Sequence, residues 1–201
     1  MQRNMFDLKT LTDLLFKQNS DLTSDNDLMP NENININIDH FVKAAVLIPI
    51  IKRKDGLNVI LTKRSNKLKQ HPGQIAFPGG KLDKTDASLE IAALRETQEE
   101  IGIYPKDVKI LGRLAQHSTV TGFQISPFVG HIKDNVTMKV QITEVAEIFE
   151  VPLCYLMNTN NYRVGNLTWQ NKKRYFYNIP YGPYYIWGAT ARILKGLADL
   201  K

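Results

Sequence analysis

Glu96, Glu99 and Glu100 stand at i, i+3 and i+4 of a periodic stretch, so a helix would present all three carboxylates on one face. Like charges at these spacings destabilise a helix by roughly 0.2–0.5 kcal/mol per pair, so the helix gains nothing from the pattern itself. A divalent cation reverses the repulsion. Clustered hard oxygen donors on a rigid element suit Mg²⁺ or Mn²⁺, and Mg²⁺ commonly joins one or two carboxylates to substrate phosphates. Arg95 lies four residues before Glu99, where a guanidinium can fix a carboxylate by forked hydrogen bonds. The run RETQEE is also ordinary composition for a solvated helix face, and taken alone it leaves both readings open.

The elements that must position these acids follow from local patterns. Phe77 to Ile103, FPGGKLDKTDASLEIAALRETQEEIGI, opens on a Pro-Gly-Gly turn and crosses a polar loop. It then becomes periodic, with Ile91, Leu94 and Ile101 roughly opposite the acids, and stops at Gly102. The spacing predicts loop, helix, loop. Upstream, VKAAVLIPII from Val42 reads as a buried strand, and Lys54-Asp55-Gly56 turns it into a second strand, Leu57 to Thr62. Between that hairpin and the acidic helix, Leu61 to Gly80 carries four basic residues, a histidine and glycine turns. Cationic side chains such as Arg64 and Lys69, together with free backbone N–H groups at Gly79 and Gly80, are what phosphate recognition needs, although a solvated basic loop has the same composition. His71, beside a proline in that loop, reads as a hydrogen-bonding partner rather than a base.

Beyond the helix, Val108 to Leu114 and Phe123 to His131 read as strands separated by the turn-like QHSTVTG, with no role assigned to His117. Tyr162 to Trp169 and Arg174 to Ile179 flank Gln170-Asn171 as a closing hairpin. The aromatic and apolar run from Tyr184 to Leu194 reads as a helix packed in the core. Near the N-terminus, leucines at helical spacing in residues 5 to 17 predict an amphipathic helix, which would pack on the body or join two copies as a homodimer. Residues 18 to 39 are polar and rich in Asn and Asp, including NENININID, and read as a loop or linker. Residues 1–39 are therefore expected to be a helix and linker, part of or appended to a domain over 40–201. Periodicity supports α/β or α+β and no more.

With 201 residues and 43% hydrophobic content, the chain is long enough for one domain with a sizeable core. No run of eighteen apolar residues exists and MQRNMFDLKT lacks an apolar signal region, so no membrane span and a cytoplasmic location are expected. The formal charge of +6 is compatible with nucleic acid, an anionic surface or an acidic small substrate. Its dispersal, apart from short runs such as Lys52-Arg53-Lys54, forms no long stripe, and no nucleic-acid partner is expected. The single cysteine, Cys154, is expected to be a buried small hydrophobe among Val151, Leu153 and Leu156.

Gly80 together with RETQEEIG, Arg95 to Gly102, resembles the Nudix box. The match is imperfect: one extra residue separates Gly80 from Arg95, the glutamate usual near the helix start is replaced by Asp86 or Ala87, and Thr97 stands where an aliphatic residue is usual. The upstream run LTKRSNKLKQHPGQIAFPGG resembles the additional signature of the coenzyme A pyrophosphatase branch of the Nudix hydrolases, with Lys69 where that branch usually has arginine. IWGATARIL resembles the same branch's C-terminus, so the likeness spans about residues 40 to 197.

The resemblance implies a Nudix α/β/α sandwich with a mixed sheet. It implies Mg²⁺ or Mn²⁺ on Glu96, Glu99 and Glu100, catalytic roles for Glu99, Glu100 and Arg95, and phosphate contacts from Arg64, Lys69, Gly79 and Gly80. Some similar enzymes use a downstream glutamate as ligand or base, and here Glu144 is the first choice and Glu147 the second. The implied reaction is hydrolysis of a nucleoside diphosphate derivative, with coenzyme A or its derivatives as first-choice substrate. Alternatives are ADP-ribose or dinucleoside polyphosphates as substrates, or a non-catalytic Nudix-like module that binds nucleotide or RNA.

Overall fold

Val42–Arg53 buries apolar residues on both of its faces, Ala45, Leu47 and Ile51 on one side and Val46, Ile48 and Ile50 on the other. A strand of this kind needs cover above and below. In the computed structural model, which describes residues 6–17, 22–29 and 40–201, the rest of the chain supplies it. In chain order the elements begin α1 (Leu8–Phe16), β1 (Thr23–Ser24), β2 (Val42–Arg53), β3 (Gly56–Arg64), β4 (Ile75–Ala76), β5 (Gly79–Lys81) and α2 (Leu89–Ile101). There follow β6 (Val108–Arg113), β7 (His117–Ser118), β8 (Phe123–Ile132), β9 (Val145–Pro152), α3 (Leu153–Leu156), β10 (Arg163–Trp169), β11 (Lys172–Tyr181), β12 (Tyr184–Trp187) and α4 (Gly188–Ala198).

β2 runs parallel to β8 and antiparallel to β3 and β5, so the main sheet is mixed. β6 and β7 extend it beyond β8, and β9 and β4 pair with β3. On one face lies α2, with Ala92, Ala93 and Ile101 against Ala45, Leu47 and Ile60. On the other lie α1, α3 and α4, through residues such as Leu11, Leu153 and Leu194. This is a mixed α+β sandwich of helices, sheet and helices. A separate antiparallel sheet, β10-β11-β12, flanks it.

α2 forms because its ends are well capped. Ser88 Oγ accepts the Ile91 N–H at 3.2 Å, and Gly102, at φ 73°, takes the left-handed turn that closes the helix. Several expectations need correction. The segment read as a linker contributes β1, which pairs in parallel with β7, so QHSTVTG is partly strand rather than turn. NENININID lies outside the described residues. The run from Tyr184 is not helical until Gly188: Tyr184–Trp187 pairs with Asn178–Tyr181, and its alternation buries Ile186. Cys154 is exposed, because the short α3 turns Leu153 and Leu156, three residues apart, inward and leaves the thiol outside.

Candidate active site

The acids of α2 are organised by Arg95. Its Nε and Nη2 donate to the two oxygens of Asp86, both at 3.0 Å, while Nη1 donates to Glu96 Oε1 and Glu99 Oε2, also at 3.0 Å. Asp86, rather than Ala87, therefore supplies the carboxylate at the helix start, and its side chain is only 2% exposed. The Arg95 fork holds Asp86 below the usual carboxylate range, and Asp86 in turn raises the guanidinium further above neutrality.

Glu96 and Glu100 are pushed the other way. Burial raises Glu96, against the pull of Arg95, and lifts Glu100, 4% exposed, to about 8. Glu100 has weak compensation: Arg64 Nη1 is 3.9 Å from its Oε1, and the Gly79 N–H donates to Oε2 at 3.4 Å. Glu99 is more exposed. A Cβ on residue 80 would stand 2.4 Å from Glu96 Oε1, so glycine there makes room for the carboxylate. Gly79, at φ 156°, lies against β2, where a Cβ would fall 2.4 Å from Ala45 O.

The other expected residues divide. Arg64, at a bulge where β3 meets β9, reaches Glu100. Glu144 is exposed beside it, its carbonyl accepting the Ser65 N–H at 2.8 Å, and its charge helps to raise both Glu96 and Glu100. Glu147 shares a sheet face with Phe149, away from α2, and accepts from the Tyr184 hydroxyl. Lys69 is exposed on its loop. Among the described residues, no three Asp, Glu, His or Cys side chains gather closely enough to enclose a metal ion; Glu96 and Glu99 meet at Arg95 instead.

A cavity of about 480 Å³ adjoins the acids. Arg64, Gly79 and Gly80 form part of its wall, whereas Glu96, Glu99, Glu100 and Glu144 do not line it. Other parts of the wall come from segments to which the sequence assigned no site residue. Ser24, Asp25 and Leu28 enter from the N-terminal segment, Trp169, Arg174 and Phe176 from the second sheet, and Gly188 to Thr190 from the start of α4. His117 anchors the first of these. It is fully buried, with Nδ1 3.0 Å from Thr23 Oγ1 and Nε2 2.9 Å from Asp25 Oδ1. A lone histidine in a hydroxyl-rich turn gave no sign of these partners, more than ninety residues away in sequence.

The family model described as NUDIX domain matches residues 41–156, more than half of the chain. The chain belongs to the Nudix hydrolase family. Proteins called "Uncharacterized Nudix hydrolase NudL" from Salmonella paratyphi B and Salmonella newport are each 42% identical to it over 156 residues, covering 78% of this chain and 81% of theirs. A NUDIX hydrolase structure from Alicyclobacillus acidocaldarius is similar in fold, with a TM-score of 0.51 and 18% identity over 79% of this chain and 91% of that one. This Nudix hydrolase is thus an enzyme of a family that acts on phosphoanhydride bonds and uses divalent metal ions.

Proposed function

We propose that this Nudix hydrolase cleaves coenzyme A or its acyl derivatives at the diphosphate, releasing adenosine 3′,5′-bisphosphate and phosphopantetheine, free or acylated. The observation that carries the substrate class is the double use of Leu61–Gly80, the segment resembling the coenzyme A branch. It lends Arg64, Gln74 and Phe77 to the cavity wall and delivers Gly79 and Gly80 to the acids. One segment then joins the place for a nucleotide to the place for its diphosphate. The volume, about 480 Å³, lies within the ordinary range for small-molecule sites.

The donor chemistry suits a hard divalent cation, whose binding would draw Glu96 and Glu99 away from Arg95 Nη1 and towards Glu100. Glu100 is a buried carboxylate with weak compensation, and Gly80 leaves Glu96 space that any side chain would fill. Glu96, Glu99 and Glu100 would hold Mg²⁺ or Mn²⁺, which supplies Lewis acidity towards the diphosphate oxygens. Before the ion binds, Arg95 keeps Glu96 and Glu99 oriented through Nη1 and is itself locked by Asp86. Arg64 neutralises charge on the diphosphate, and the side-chain-free backbone of Gly79 and Gly80 lets phosphate approach. Lys69 adds long-range attraction for an anionic substrate. Glu144 accepts the proton of the attacking water, since its charge acts on Glu96 and Glu100 whereas Glu147 is bonded to Tyr184 on the face away from α2.

The test is a product analysis. Purified protein with Mg²⁺ or Mn²⁺ is incubated with coenzyme A, ADP-ribose and a dinucleoside polyphosphate, and the products are identified by mass. Adenosine 3′,5′-bisphosphate from coenzyme A is expected. Cleavage of ADP-ribose but not coenzyme A overturns the substrate, and binding of any of them with no cleavage overturns the reaction.

A further inference from the structure

Arg64 and Arg174 both line the cavity, and each buries an Nε that has no hydrogen-bond partner. A buried N–H left unpaired is costly, and folded proteins keep few of them. Arg64 belongs to the main sheet and faces Glu100, which accounts for one of the two at the diphosphate. Arg174 belongs to β11 in the second sheet. Its Nη1 donates to Asn26 Oδ1 at 3.1 Å, and its Cζ stands 5.2 Å from the Trp169 ring centroid.

These contacts hold the guanidinium plane without adding a negative charge. Arg192, in the same wall, differs: its Nε and Nη2 donate to Asp27 Oδ2 at 2.9 and 2.6 Å. Among the described residues, Arg174 has no carboxylate at ion-pair distance. An oriented, unneutralised arginine with a free N–H is built for a phosphate group, which accepts two parallel N–H bonds. Around it Trp169, Phe176 and Trp187 give the cavity the flat apolar surfaces on which a base stacks. Arg64 and Arg174 therefore stand as separate cationic points in the wall, one beside the acids and one among the aromatic residues.

We propose that Arg174 binds a phosphate monoester on the ribose of the substrate, apart from the diphosphate at Arg64, and so selects nucleotides phosphorylated at the 3′ position. This rests on the cavity being the nucleotide's place, as proposed above, and it makes Arg174 a specificity residue. Two measurements test it. Calorimetry compares adenosine 3′,5′-bisphosphate with 5′-AMP on wild type, Arg174→Gln and Arg174→Lys; kinetics compare coenzyme A with 3′-dephospho-coenzyme A.

Arg174→Gln is expected to weaken the bisphosphate roughly 10- to 100-fold and leave 5′-AMP unchanged, with Arg174→Lys between. KM for coenzyme A should rise by a similar factor at constant kcat, and the dephospho substrate should be unaffected. Equal losses for both ligands, no loss for either, or no measurable bisphosphate binding by wild type overturns the proposal. A selective loss of bisphosphate binding in a protein that never cleaves coenzyme A would uphold the phosphate site and overturn the substrate instead.

Discussion

Arg95 joins two groups of acids that lie on either side of the loop-to-helix junction. Its paired bonds to Asp86 explain why the chain tolerates an extra residue after Gly80: the carboxylate that locks the arginine is one methylene shorter than glutamate and arrives from the loop. Asp86→Asn should lower the melting temperature by several degrees, because it leaves a guanidinium N–H facing an amide N–H. The same change should lower kcat/KM by about 10- to 100-fold as Arg95 loses its fixed position. Equal melting temperatures and equal rates would show that Asp86 does not position Arg95. Glu144→Gln is expected to reduce kcat by roughly 10²- to 10⁴-fold while Glu147→Gln, on the other face and bonded to Tyr184, leaves it unchanged. Steady-state kinetics on both variants decide the assignment, and the reverse pattern would contradict it.

β3 and β9 are tied across the sheet by Glu150, which accepts from Arg53 Nε at 3.0 Å and Asn58 Nδ2 at 2.9 Å. Burial alone would raise this carboxylate, but the bonds to Arg53 and Asn58 outweigh it and hold Glu150 below its ordinary 4.5. A depressed folded-state pKa gives stability that is present above the unfolded value and is lost as pH falls through the folded one. Glu150→Gln should therefore cost about 1 kcal/mol at pH 7 and progressively less as pH falls below 4.5 and through the lower folded-state value, read from urea midpoints. A cost that persists at low pH would show that charge is not its source. Elements with a local signal were legible in the sequence: the i, i+3, i+4 acids on α2, the turn at Lys54-Asp55-Gly56, and the hairpin at Gln170-Asn171 all formed as their spacing predicts. Tyr184–Trp187 was not legible, because four mostly apolar residues suit a helical turn and an edge strand equally, and pairing with β11 settles the matter from outside.

The cavity draws its wall from the N-terminal segment, the main sheet, the second sheet and α4, so no single stretch of sequence announced it. Asp25 is the hinge of this assembly, since it accepts from both His117 and the Val120 N–H. Asp25→Ala should free the Ser24–Leu28 wall and raise KM for the nucleotide several-fold with little change in kcat. An unchanged KM would remove that segment from substrate binding. The acids and the upstream basic segment are legible from residue types and spacing, whereas Trp187 reads as core, because burial and stacking use the same residues, and Trp169 and Phe176 read only as strands of a hairpin. Direct Mn²⁺ binding, followed by the loss of the free-ion electron paramagnetic resonance signal and paired with turnover of coenzyme A, tests the central claim most closely. Wild type should take up Mn²⁺ and cleave the diphosphate, while Glu99→Gln and Glu100→Gln bind at least about tenfold more weakly and lose turnover. Variants that bind Mn²⁺ and cleave as wild type does would contradict the account.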